Sequence, residues 1–149
     1  MVAFPYLSEL EEGRAEEILK KQEPKLIRQI SGVFENVCAE ALMMKEGLNY
    51  NKYGSWWGAY REGGERKVQE IDIMALNEKT KDAMFAECKF EKEVDAPALL
   101  NQLREKAKLV QWKRKSERFV IFAKSFSKRI DEKDVTLIDL KDLEKIFGH

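Results

Sequence analysis

Apolar positions along the chain recur at two periods, and the switch between them lays out the fold. From 25 to 46 they fall at Ile27, Ile30, Phe34, Val37, Ala41 and Met44, steps of three and four that define one face of an amphipathic helix. Gly47 is its stop signal. A shorter helix is expected over 8–22, with Ser8 as cap and Leu10, Ala15, Ile18 and Leu19 on one side; Pro24 separates the two. The pattern then turns strand-like. Strands are expected at 55–61, closed by the turn Gly63-Gly64, and at 68–76, where Val68, Ile71 and Ile73 are β-branched. A polar turn from Asn77 to Asp82 leads to a third strand at 83–90. Helical spacing returns at 96–110, opened by Pro97 and lined by Leu99, Leu103, Ala107 and Val110. The unbroken apolar run 119–123 reads as a central strand buried on both faces. A strand at 135–138 and a helix from Leu140 to Phe147, capped by Asp139, complete the pattern.

This order is that of a layered α/β domain. The step from 83–90 through 96–110 to 119–123 suits a parallel crossover. With 149 residues the chain can bury a sizeable single core. No run of about 18 apolar residues is present, so no membrane span is expected. Glu9, Glu11 and Glu12 follow the short apolar start, which does not read as a signal peptide.

Composition narrows the chemistry. The single His is His149, the last residue, so a Ser-His-Asp or Cys-His nucleophile system has no histidine to orient. Two Cys, Cys38 and Cys88, are too few for a structural zinc site. Each lies in an apolar stretch, which predicts buried free thiols and a reducing cytoplasm. Any catalysis must therefore come from carboxylates and lysines. Lys and Arg total 27 and Asp and Glu total 27, yet the balance is uneven. Residues 1–46 carry nine acids and six bases, whereas 104–118 carries seven bases and two acids. In that stretch Arg104, Lys106, Lys108, Lys113, Arg114 and Lys115, with Trp112 among them, form a candidate nucleic-acid-binding run. Charge alone is equally compatible with a solvated helix face. Trp56 and Trp57 read as one packed and one half-exposed ring.

The informative constellation lies on the second and third strands. If Leu76 pairs with Ala83 across the turn, counting outward sets Asp72 directly opposite Glu87. Opposed residues have Cβ atoms about 4.5–5.5 Å apart. Two carboxylates that close repel, and a divalent cation between them removes the conflict; Mg²⁺ is typically held by one or two carboxylates. Strand alternation puts Glu87 and Lys89 on one face and Ala86, Cys88 and Phe90 on the other. By the same rule Asp72 faces away from Ile71 and Ile73. A one-residue slip would separate Asp72 from Glu87. On the preceding helix, Glu35 borders the apolar stripe beside Phe34, from where a carboxylate can reach the sheet end. Each has a plain structural reading as well: Glu-x-Lys is common on exposed strands, and a helix Glu is commonly solvated.

A helical Glu, an Asp on the second strand and Glu-x-Lys on the third resemble the core of the PD-(D/E)XK nuclease superfamily. More narrowly, residues 33–147 are similar to the C-terminal domain of archaeal DEXX-box ATPases. The similarity runs through 33–38, Trp56-Trp57-Gly58, the block 70–77, Glu87-Cys88-Lys89, 118–128 and 137–140. The resemblance implies a restriction-endonuclease-like αβββαβ core, a mixed central sheet flanked by helices. It divides the chain into an N-terminal helical extension, 1–24, and a nuclease-like domain, 25–149. It implies Asp72 and Glu87 as ligands of Mg²⁺ or Mn²⁺, Lys89 as catalytic lysine, Glu35 as a helix carboxylate of the site and Gln102 as a polar active-site residue. Lys106 departs from the pattern, because relatives often carry an aromatic there. No G-x-x-x-x-G-K-[ST] loop occurs, so this stretch holds no ATP-binding motor of its own.

Three readings stand at this point. The first is a metal-dependent phosphodiesterase acting on DNA. The second is a non-catalytic DNA-binding or protein-docking module serving an ATPase domain in cis or in trans. The third is a homo-oligomer that associates through helix 8–22.

Overall fold

A computed structural model describes residues 24–148, with side chains described from Gly32 onward except Leu48. The helix expected at 8–22, the extension 1–24 up to Glu23, and His149 lie outside the described residues. Helix α1 runs Pro24–Glu46 and ends in a single 3-10 turn, Gly47–Asn49. Strands β1 (Lys52–Glu62), β2 (Glu65–Asn77) and β3 (Asp82–Lys89) follow. After a two-residue strand β4 (Val94–Asp95) comes helix α2 (Ala96–Lys108). Strands β5 (Ser116–Ala123), β6 (Phe126–Lys128) and β7 (Val135–Ile138) precede helix α3 (Leu140–Phe147).

The main sheet has the order β1-β2-β3-β5-β7. β1, β2 and β3 pair antiparallel, and β5 and β7 join in parallel. The fold is therefore α/β with the restriction-endonuclease-like αβββαβ order, a mixed central sheet flanked by helices. α1 and α3 cover one face, where Phe34, Val37, Cys38 and Leu143 pack on Met84, Ala86, Cys88, Val120 and Phe122. α2 covers the other, where Leu99, Leu100 and Leu103 pack on Phe85, Phe119 and Ile121. The run 119–123 is split between both clusters by strand alternation, which is why it carries no polar position.

Local signals explain most boundaries. Asp95 caps α2 by accepting from the Ala98 backbone N–H. Asp139 and Asp142 form a reciprocal capping box on α3. Gly63 and Gly64 turn the β1–β2 hairpin at φ of 61° and 83°, the left-handed region that glycine enters without cost. The hairpin is longer than expected, because its polar ends, from Lys52 and from Glu65, satisfy their backbone by pairing with each other. The small β4–β6 sheet was not legible at all: each strand is two or three residues long, below any periodic signal.

One irregularity positions the site. Gly54 pairs with Met74, but Trp56 pairs with Ile71. Two residues of β2, Asp72 and Ile73, thus oppose Ser55 alone, a β-bulge. The bulge corrects the expected alternation. Ile73 packs on the α1 side whereas Ile71 packs on the α2 side, so Asp72 does not face away from both.

Phe122 is fully buried. Phe122→Ala should cost about 3–5 kcal/mol, and Asp139→Ala, which removes only a cap, about 1 kcal/mol. Urea denaturation of the two variants checks both the size and the order.

Candidate active site

The β2–β3 ladder begins with Asn77 opposite Asp82, includes Leu76 opposite Ala83, and ends with Ile73 opposite Ala86. The predicted register is therefore the observed one, and its next step sets Asp72 against Glu87. The ladder stops there because the bulge turns β2 away. The Cys88 backbone N–H, which has lost a strand partner, donates to Asp72 Oδ2 at 2.9 Å. That bond pins the Asp72 carboxylate beside β3. Glu87 is 4% exposed, the buried charged side chain of the sheet, and Asp72 is close enough to act on its carboxyl. Burial, then Asp72, push the Glu87 carboxyl up to about 7.

Glu35 arrives from α1. It lines a cavity of about 290 Å³ together with Asp72, Tyr53 and Ser55. Its carboxyl is also raised to about 7, first by burial, then by the charges of Asp72 and Glu70. Asp72 thus adjoins Glu35 in this cavity and Glu87 on β3, and burial raises both of those neighbouring carboxyls to about 7. Lys89 follows Glu87 by two positions at the exposed end of β3. The Cys38 and Cys88 thiols are buried and free, as expected, and burial pushes both pKa values up.

The structure adds a residue that was assigned elsewhere. Lys106, expected in the nucleic-acid run, reaches inward from α2 and places Nζ 2.7 Å from Glu87 Oε1. Gln102, one helical turn earlier, lines with Lys106 a groove of about 640 Å³ between α2 and the β1–β2 hairpin. The i, i+4 spacing of Gln102 and Lys106 was the signal that placed them on one helix face.

The rest of the basic run does not form a common surface. Arg104 pairs with Glu132 at 2.6 Å and Lys108 with Glu105 at 2.8 Å. Arg114 donates to the backbone carbonyls of Ala107, Val110 and Trp112, closing the end of α2. Trp112 is half-buried against the α2-side core, with Lys81 Nζ 5.5 Å from its ring centre. Lys113 and Lys115 are exposed, but they precede Ser116, which pairs with Asp82, while Glu87 pairs with Ile121. Five residues of strand, roughly 16 Å, separate them from the carboxylates. Of the paired tryptophans, Trp56 is partly buried against the core, while Trp57 is 71% exposed, more than the half-exposed ring expected.

The donor set at the cluster is oxygen only, which suits a hard divalent ion. Among the described residues no group of three or more His, Cys, Asp or Glu side chains is arranged to hold a metal. Asp72 and Glu87 are thus a two-carboxylate set, the number from which Mg²⁺ is commonly held alongside water and phosphate.

Comparison with known proteins adds the family. A family model described as archaeal and bacterial proteins of unknown function, DUF234, matches residues 1–108. The uncharacterized protein MJECL04 of Methanocaldococcus jannaschii is 30% identical over 146 residues, covering 93% of this chain and 31% of that protein. The chain therefore spans about a third of that relative's length. The crystal structure of protein VC1899 from Vibrio cholerae is similar with a TM-score of 0.52 at 12% identity, over 83% of this chain and 34% of that one, a likeness of fold.

In chelator-treated buffer, the raised carboxyls make the folded state bind protons that the unfolded chain has already released. Stability should thus fall as pH rises from about 4.5 to about 7 and level off above. Glu87→Gln should lose less stability than the parent between about pH 5 and about pH 8. Urea midpoints at the two pH values test this; equal losses in the two proteins would contradict it.

Proposed function

The chain belongs to the DUF234 family, and for this member we propose a metal-dependent phosphodiesterase of PD-(D/E)XK type acting on DNA, kin to the C-terminal domain of archaeal DEXX-box ATPases. The observation that carries this reading is the juxtaposition of Asp72 and Glu87 beside a bulged register, with Glu35 lining a cavity next to Asp72. A purely structural hairpin gains nothing from burying opposed carboxylates. Asp72 and Glu87 would hold Mg²⁺ or Mn²⁺, which when bound supplies Lewis-acid polarisation and charge neutralisation at a phosphate.

The chain's own residues do the rest. Glu35, with its carboxyl raised to about 7, exchanges a proton near neutrality and serves as base toward a water. Lys89 at the open end of β3 offers an ammonium to charge growing on the phosphate. Gln102 lies on the groove wall, where it positions the strand being cut. No helix among the described residues is long and apolar enough to cross a membrane. The free thiols support a cytoplasmic setting.

A second reading, a docking or DNA-binding module of an ATPase, is favoured by one observation. Arg104, Lys106, Lys108 and Arg114 hold ion pairs within the domain rather than facing a ligand together.

Mg²⁺ or Mn²⁺ should permit cleavage of DNA, and Asp72→Ala, Glu87→Ala or Lys89→Ala should lower the rate by roughly a hundredfold or more. Glu35→Gln should also remove the rise in rate through neutral pH. Inactivity with either metal on duplex, single-stranded and branched DNA would sink the hydrolase. DNA affinity independent of salt would then exclude a nucleic-acid role for the module as well.

A further inference from the structure

Lys106 and Lys108 both occupy the last turn of α2, where a cation complements the helix dipole. Only one behaves as that role requires. Lys108 stays at the surface, its side chain 70% exposed, beside the equally exposed Glu105. Lys106 instead turns inward, its side chain 21% exposed, and its ammonium lies on a carboxylate that is 5% exposed. Bringing an ammonium and a carboxylate out of water is costly and is repaid only by close pairing. The pair therefore needs a reason beyond helix capping, and its position supplies one: the carboxylate is Glu87, one of the two groups that fit a divalent ion.

We propose that Lys106 is the resident counter-ion of the site, holding Glu87 in the metal-free protein and giving way when a divalent cation binds between Asp72 and Glu87. This rests on the metal reading given above and adds the residue that sets how tightly the ion is held. Asp72 is already anchored through Oδ2 by the Cys88 N–H, so its position does not depend on the ion. Among the described residues no backbone N–H donates to the Glu87 carboxylate, and Lys106 fills that part. An ammonium and a divalent cation cannot share one carboxylate without strong repulsion. Displacement requires no movement of α2. Lys106 already lines the groove of about 640 Å³, with Gln102, Tyr60 and Gln69 around it, and its four-carbon stem can carry the charge out into that space. Lys106 is thus a positioning residue that trades affinity for the ion against order in its absence.

Mn²⁺ binding to the whole chain, followed by electron paramagnetic resonance or calorimetry, tests this without reference to activity. Lys106→Met and Lys106→Gln should each bind Mn²⁺ about tenfold more tightly than the parent. Lys108→Gln should bind as the parent does, and Asp72→Ala should abolish binding. The Gln variant keeps a hydrogen-bond donor for Glu87 and secures the measurement if Lys106→Met does not fold. Unchanged or weaker binding by folded Lys106→Gln, with the parent binding normally, overturns this inference alone. An equal gain in Lys108→Gln overturns it too, because general surface charge would then suffice. Absence of Mn²⁺ binding to every protein overturns the metal site and this inference together.

Discussion

The two-for-one bulge at Asp72 and Ile73, and the hydrogen bond it creates, is the constraint on which the candidate site depends. Without the bulge, β2 would continue along β3 and the Cys88 N–H would find a backbone carbonyl. With it, β2 turns away after Ile73 and that N–H is left without a strand partner. The Asp72 carboxylate takes its place. One local irregularity thus ends the ladder, supplies the replacement acceptor and fixes a carboxylate beside Glu87. It also moves Ile71 and Ile73 to opposite faces, so that both helical layers receive a branched side chain from neighbouring positions of one strand.

The electrostatic consequence is a cluster the protein must neutralise. Glu87 is buried beside Asp72, Glu35 is partly buried with Asp72 in the neighbouring cavity, and the chain meets the cost in two ways. Glu35 and Glu87 retain protons to about pH 7, and Lys106 supplies a charge. Protonation and the Lys106 ion pair each lower the net negative charge of the two carboxyl groups beside Asp72. The basic residues at 113–115, by contrast, lie at the other end of β3 and contribute nothing to this balance.

Much of the fold could be read from period and caps, because those are local properties. The apolar spacing places α1 within a residue or two, although Met44 of the expected stripe lies exposed and Leu42 is buried in its stead, and Asp139 sets the start of α3 through its own backbone reach. The hairpin register was legible too, since the polar turn fixes which residues oppose, and the ladder keeps the expected register from Asn77 opposite Asp82 to Ile73 opposite Ala86. The β4–β6 pair was not, because strands this short are stabilised only by the neighbours that flank them.

The side chains of the site divide along the same line. The candidates Glu35, Asp72, Glu87 and Lys89 could be named from the sequence, since residue type and spacing carry chemistry directly. Which residue partners which was decided only by the tertiary structure. Lys106, Arg104 and Lys108 are three cations on one short helix, alike in composition, and each meets a different acid: one buried in the sheet, one on a distant loop, one on its own helix. Composition counts charges, but burial and distance determine their strength. Those depend on how α2 lies across the sheet, which no local pattern in the chain records.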